Sequence, residues 1–197
     1  GSTNIDEDFE YIELKNLQAA PLAIGGYTIS GGVSFTFSAR TLAAGARVLV
    51  VNNQAAFLSR YPSLAASIAG EFTGNLANEG NRLVLRGRVR ETILDFDYDD
   101  QWHPITDGFG FSLVIVDENA AFNTWGLASS WRPSGVLNGT PGAGDGAPPA
   151  IPQVVINEAL THSDPPPPTD TMPANMMRGA TSNTSGSARS LASTGST

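Results

Sequence analysis

Four carboxylates fall within six residues, Asp95-Phe96-Asp97-Tyr98-Asp99-Asp100. Hard cations take several carboxylate oxygens at once, and alternate residues of a strand point the same way. Asp95, Asp97, Asp99 and Asp100 are therefore a candidate Ca²⁺ site. The segment lacks the central Gly and closing Glu of an EF-hand loop. The competing reading, and the commoner arrangement, is a solvated strand end entering a turn, where Asp accepts backbone N–H bonds. A second acidic cluster, Asp6-Glu7-Asp8 with Glu10 and Glu13, reads as a frayed acidic end. Glycoside hydrolysis needs two carboxyl groups roughly 5–10 Å apart across a cleft, and nothing in the sequence marks a cleft.

Other chemistry finds little footing. The histidines, His103 and His162, lie far apart in a chain without cysteine, which argues against a zinc centre and excludes disulfides. A serine hydrolase would need a Gly-x-Ser-x-Gly elbow; Gly108-Phe109-Gly110-Phe111-Ser112 has the order wrong. Arg82, Arg86, Arg88 and Arg90 form the one basic stretch. If the strand ran through it, Arg86, Arg88 and Arg90 would share a face, either contacting an anionic polymer or, more simply, forming a soluble exterior paired with nearby acids. Of Trp102, Trp125 and Trp131, the first and last are expected to pack where loops close the fold. An exposed Trp125 is the candidate ligand contact.

The elements that must position these groups read as short strands. The chain of 197 residues carries 21 Gly and 13 Pro but only 15% charged residues, a turn-rich composition that favours an all-β design. A net charge of -8 repels phosphate backbones and argues against nucleic acid or an anionic membrane as partner. No run approaches the roughly 20 apolar residues of a membrane-spanning helix. Strands are expected at 9–16, 27–30, 33–37, 47–51, 81–85, 92–98 and 111–116. Val33, Phe35 and Phe37 share one face, and Arg47-Val48-Leu49-Val50-Val51 reads as buried on both. A short helix over 54–60, capped by Asn52 or Asn53 and ended by Pro62, is the one helical signal. Residues 143–153 read as a Gly/Ala/Pro linker. The polar stretch 171–197 reads as a disordered tail.

Several motifs together resemble the lamin-tail domain family in its bacterial branch. They are Phe9-Glu10-Tyr11-Ile12-Glu13-Leu14-Lys15-Asn16, Gly26-Tyr27-Thr28-Ile29-Ser30, Leu42 with Gly45 and Val48-Leu49-Val50-Val51, and Asn81-Arg82-Leu83-Val84-Leu85. Later come Tyr98-Asp99-Asp100 with Trp102 and Pro104, Gly108-Phe109-Gly110-Phe111-Ser112-Leu113, Trp131-Arg132 and Gly139-Thr140-Pro141-Gly142. The resemblance implies an immunoglobulin-like β-sandwich over residues 5–142, a non-catalytic module for protein interaction, scaffolding or adhesion in a larger exported multidomain protein. It implies a protein or cell-surface partner, an extracellular or cell-surface location, and no cofactor. The alternative is a Ca²⁺-assisted glycan-binding module.

The chain departs from the family pattern at its start. Such domains open with a strand of the type Val-Ile-Asn-Glu-Ile, and this chain begins, at Gly1-Ser2-Thr3, too late to contain it. A matching run appears near the other end, Val154-Val155-Ile156-Asn157-Glu158-Ala159-Leu160, so 154–170 reads as the partial start of a second repeat. A sheet lacking its first strand exposes an edge for strand addition. Val154, Val155, Ile156, Asn157, Glu158, Ala159 and Leu160 are the right kind to fill it, within the chain or between two copies.

Overall fold

The structure is a computed structural model that describes residues 5–150 and 152–160. After a 3-10 turn at Asp6–Phe9 come β1 (Tyr11–Lys15), β2 (Leu22–Ala23), β3 (Thr28–Gly31), β4 (Val33–Thr36), β5 (Thr41–Leu42) and β6 (Arg47–Val51). The helix α1 (Gln54–Arg60) and a 3-10 segment, Pro62–Ser67, lead into β7 (Ile68–Glu71), β8 (Thr73–Gly74), β9 (Asn81–Arg86) and β10 (Thr92–Tyr98). Short 3-10 turns then flank β11 (Leu113–Ile115) and β12 (Trp131–Pro133). The described residues are mostly β, arranged in several sheets. A three-stranded sheet has the order β1-β6-β7, a five-stranded sheet the order β10-β9-β3-β4-β8, and β11-β12 and β2-β5 form two-stranded pairs.

The strand β6 explains most of this. Its run Val48-Leu49-Val50-Val51 is fully buried, and its side chains alternate between two apolar clusters as a period of two requires. Val48 and Val50 join Ile24, Ile29, Val33, Phe37, Leu42 and Phe72 in the larger cluster, to which both major sheets contribute. Leu49 and Val51 face Phe57 and Ile68, with Tyr11, Leu58, Tyr61 and Leu64 around them, so α1 covers the other face. β1 pairs with β6 antiparallel, Tyr11 opposite Val51 through Lys15 opposite Arg47, and β7 pairs with it in parallel. The parallel partner is reached through α1, the kind of crossover that parallel pairing needs.

Local chemistry sets the turns. Asn53, at the N-cap of α1, accepts from the Ala56 N–H at 3.0 Å, as a cap residue does. Asn16 is buried; its Nδ2 donates to the carbonyls of Ala20, Leu42 and Ala43 at 2.9–3.1 Å while its Oδ1 accepts from the Gln18 N–H. One side-chain amide therefore ties the loop after β1 to the loop after β5.

Two expectations need correction. The first strand does not begin at Phe9. Residues Asp6–Phe9 coil into a 3-10 turn because Asp8 Oδ2 captures the Ile5 N–H, and the Phe9 ring lies 3.7 Å beneath the Arg60 guanidinium. Arg88 and Arg90 do not share a strand face with Arg86. β9 ends at Arg86, Gly87 bonds across to Glu91, and Arg90 takes a left-handed φ of 68° in the turn. On β9, Leu83 and Leu85 pack on the larger cluster, while Val84, on the opposite face, is 4% exposed.

The chain divides after Ile151 into two units, and every helix and strand of the described residues lies in the first. Residues 152–160 carry neither helix nor strand. The expected disordered tail, 171–197, and the last part of the expected partial repeat, 161–170, lie outside the described residues.

Because Leu49 is enclosed on every side, truncation leaves a cavity that its neighbours cannot fill. Leu49→Ala is expected to cost about 2–5 kcal/mol, read as a lowered urea midpoint at unchanged slope.

Candidate functional site

The acidic segment 95–100 is divided among separate tasks. Asp95 and Asp97 project from the outer face of β10, opposite Val84 and Arg82 of β9. Arg82 grips Asp95 with two bonds of 2.7 Å, from Nε and from an Nη. That guanidinium holds the Asp95 carboxyl below the usual carboxylate range. Asp99 instead caps the next 3-10 turn, its Oδ1 accepting from the Gln101 N–H at 2.8 Å. Asp100 is pushed up by desolvation and then by its neighbours Asp99 and Asp107. Among the described residues, no three His, Asp or Glu side chains converge as a metal-ligand set.

Trp125 is half-buried rather than exposed. Its ring meets Trp131 edge-on at 5.6 Å between centroids, and Phe96 lies 5.8 Å away. Phe96 and Trp131 stack at 5.4 Å, and Trp102 lies beyond Trp131 at 6.5 Å. Trp131 Nε1 donates to the Trp125 carbonyl at 2.7 Å. His103 Nε2 lies 2.8 Å from the Trp131 carbonyl, so that nitrogen carries the proton. The aromatic group therefore fastens the loops at this end to β10. The ring that faces water is the neighbouring Phe122, 66% exposed; no spacing signal singled it out. His162 lies outside the described residues.

A different region brings unsatisfied backbone together. The Asn52 N–H donates to the Glu10 carbonyl and the Asn16 N–H to the Ala46 carbonyl. In an antiparallel pair that phasing turns the backbone of Ile12 and Leu14 toward β6 and that of Tyr11, Glu13 and Lys15 away from it. β11 is phased by Val116 N–H to Ser130 and Ser134 N–H to Ser112, so Leu113 and Ile115 face away from β12. Neither outward edge pairs with a strand among the described residues.

These two strands approach each other through side chains. At one end the Tyr11 hydroxyl bonds with the Ser112 side chain, and at the other Lys15 forms an ion pair with Glu118. Tyr11 to Lys15 and Ser112 to Glu118 therefore run the same way, and only side chains bridge the two strands. Burial pushes the Tyr11 hydroxyl up to about 12. Gly139, with φ at 77°, lets its loop pass here, since a Cβ would collide with the Tyr11 hydroxyl and Ser112 Oγ. At the Lys15 end lies a cleft of about 430 Å³ bordered by Lys15, Arg47, Val114, Ile115, Glu118 and Asp145.

A polar clasp holds the loop that covers this region. Asp145 keeps only 6% of its side chain exposed and accepts from Arg132 at 2.6 Å, from the Gly135 N–H at 2.9 and 3.1 Å, and from Thr140 Oγ1 at 2.9 Å. Glu13 accepts the Gly142 N–H, and Tyr61 donates to the Asn138 carbonyl at 2.6 Å. Sequence reasoning passed over Asp145 because it lies in the Gly/Ala/Pro stretch read as a linker. Its one signal was a lone acid among small residues. The expected edge strand, Val154–Leu160, is irregular, and its large side chains are exposed: Val154 and Val155 at 82%, Ile156 at 89% and Leu160 at 76%. A scan against models of known protein families matched none, and a search of curated proteins found no match to the chain.

Two measurements check this geometry. With Asp95 engaged by Arg82 and Asp99 by a turn, millimolar Ca²⁺ is expected to leave the melting temperature unchanged by calorimetry; a rise of several degrees would restore the cation site. For Asp145, desolvation acts to raise the carboxyl, but the bonds from Arg132, Thr140 and Gly135 outweigh it and hold it below the ordinary range. A lowered folded value adds stability that is fully present above the unfolded pKa and is lost as pH falls through the folded one. Asp145→Asn is therefore expected to cost about 1–3 kcal/mol at pH 7. In urea titrations across the acid range, the gap from the parent protein should close as pH falls through the ordinary Asp range and below it.

Proposed function

We propose that the chain is a lamin-tail-like, immunoglobulin-like β-sandwich module of a larger exported protein. On this reading it serves protein interaction, scaffolding or adhesion rather than catalysis, and it acts at the extracellular or cell-surface side. The single observation that carries the interaction role is the outward edge of β1, which pairs with no strand among the described residues. An open edge is a template for an added strand, whose main-chain bonds give affinity and whose alternate side chains give specificity. The remaining chemistry-bearing groups are engaged in structural bonds: Asp95 with Arg82, His103 with a carbonyl, Trp125 with its aromatic neighbours.

The architecture supports the same reading. β6 is buried between two clusters, and the larger one draws on both major sheets, which is how packed sheets share an interior. The partner is a protein segment able to adopt extended backbone, because an edge of this kind offers main-chain groups and little else.

Amide hydrogen exchange tests the proposal. In the free protein the outward N–H groups of Tyr11, Glu13 and Lys15 are expected to exchange faster than those of Ile12 and Leu14, which bond to β6. A soluble heptapeptide alternating Val and Thr, with a terminal Lys, should slow the outward set by at least tenfold and leave the inward set unchanged. Protection confined to the loops around Trp125, with β1 unaffected, would overturn the reading.

A further inference from the structure

We infer that the cleft between the β2–β5 pair and the turn after β9 binds a tetrahedral oxyanion, a sulfate or phosphate ester group held by Arg40 and Arg88. The site shares no residue with the β1 edge and does not depend on the interaction reading.

The floor of the cleft follows from the pairing of two short strands. β2 and β5 run antiparallel, Leu22 opposite Leu42 and Ala23 opposite Thr41, and the Ile24 N–H donates to the Arg40 carbonyl at 2.9 Å. Leu22, Ile24 and Leu42 turn into the larger apolar cluster. A period of two then puts Ala23, Gly25, Ala39 and Thr41 on the other face. The two chains draw close there, since a Cβ on Gly25 would lie 3.1 Å from the Ala39 Cα. With Gly26, Arg40 and Arg88, these residues border an open cleft of about 600 Å³. Its floor carries only small side chains, so nothing fills it from below.

The charge at its border is uncompensated. Arg40 donates from Nη1 to the Ile68 carbonyl at 2.8 Å and from Nη2 to the Ala66 carbonyl at 2.6 Å. Neutral carbonyls fix this guanidinium without cancelling its charge, and they leave it further N–H donors. Arg88 is exposed, and its stem runs past Gly26, where a Cβ would lie 3.6 Å from Arg88 Cγ. Neither guanidinium pairs with a carboxylate among the described residues, whereas Lys15, Arg47, Arg82 and Arg132 each do. Glu91, in the same turn as Arg88, accepts the Val89 N–H instead. Arg88 is thus the exception among the polar groups that sequence reading singled out.

The ligand class follows from the two forks. A planar carboxylate is satisfied by one guanidinium, as Asp95 is by Arg82. Two guanidinium groups reaching one cleft from separate segments suit an anion with oxygens on several sides, which a sulfate or phosphate group has. The chain's net charge of -8 repels a long polyanion, so the group is a single ester on a neutral carrier such as a sugar.

The test is an NMR titration of the full chain at fixed ionic strength, which keeps screening from being read as binding. Inorganic sulfate and inorganic phosphate should each shift the Gly25, Gly26, Ala39 and Thr41 amides saturably, and acetate should bind more weakly. Arg88→Gln, an exposed change, should weaken both oxyanions roughly tenfold. Ala39→Leu keeps every charge and fills the floor, and it should weaken them as much. Arg90→Gln removes an equal charge from the same turn but outside the cleft, and it should leave binding unchanged. Glucose 6-sulfate and glucose 6-phosphate then distinguish the two sources, the tighter one naming the ester. No saturable shift at the floor, acetate binding as tightly as sulfate and phosphate, binding that survives Ala39→Leu, or equal losses with Arg88→Gln and Arg90→Gln would each overturn the inference. The interaction reading is untouched by any of these outcomes, because its readout is exchange at the β1 amides.

Discussion

The structure depends on burying β6 from both sides. A strand with four consecutive side chains out of water needs a layer on each face. The two layers available are unlike: strands of the five-stranded sheet on one side, and α1 with the segment that follows it on the other. Burying the four side chains contributes on the order of 6–12 kcal/mol at roughly 1.5–3 each, comparable to the net stability of a whole domain. Once β6 is placed, β1 and β7 have positions on either side of it. The short helix must then sit where Phe57 meets Leu49 and Val51.

This centre explains why so little of the polar chemistry is free. Strands this short leave many loop ends, and each buried end needs partners for its backbone groups. The polar side chains go there. Asn16 ties two loops, Asn53 caps α1, His103 holds the loop before β12, and Asp145 holds the loop after it. No buried side-chain nitrogen or oxygen among the described residues lacks a partner. A carboxylate committed to Arg132, Gly135 and Thr140 is poorly placed to abstract a proton or ligate a cation.

Legibility in the sequence followed the strength of the local signal. β6 was readable because four branched or aliphatic residues in a row have few alternatives to burial on both faces. α1 was readable because Asn53 and Pro62 mark its ends, and β10 because Thr92–Tyr98 is a long β-favouring run. β7 was not, since Ile68-Ala69-Gly70-Glu71 is short and contains a Gly at φ 156°, pairing in parallel only because β6 is already in place. The Arg86–Arg90 row misled because a periodic pattern cannot reveal that Arg90 accepts a left-handed turn. At the acidic segment, residue type suggested a cation, and pairing with Arg82 required knowing which strand lies alongside β10. The outward edge of β1 was not legible, because which backbone groups point away depends on the hydrogen-bond phase of β1 with β6.

An open edge in a β fold is ordinarily blunted by charge, bulges or cover. β1 carries partial versions of the first and last. Glu13 and Lys15 place charge along it, and the Gly139–Asp145 loop, fixed by Asp145 and joined to Glu13 through Gly142, covers one face of it. Both devices act on the side chains and leave the outward N–H and C=O groups of Tyr11, Glu13 and Lys15 in place. On the proposed reading, the cover would act as a selector rather than a seal, admitting a strand whose residues on that face are small or polar. Aggregation between arbitrary edges is discouraged by the same side chains that would admit a strand of matching pattern, so on that reading specificity at this edge follows from how the loop is pinned.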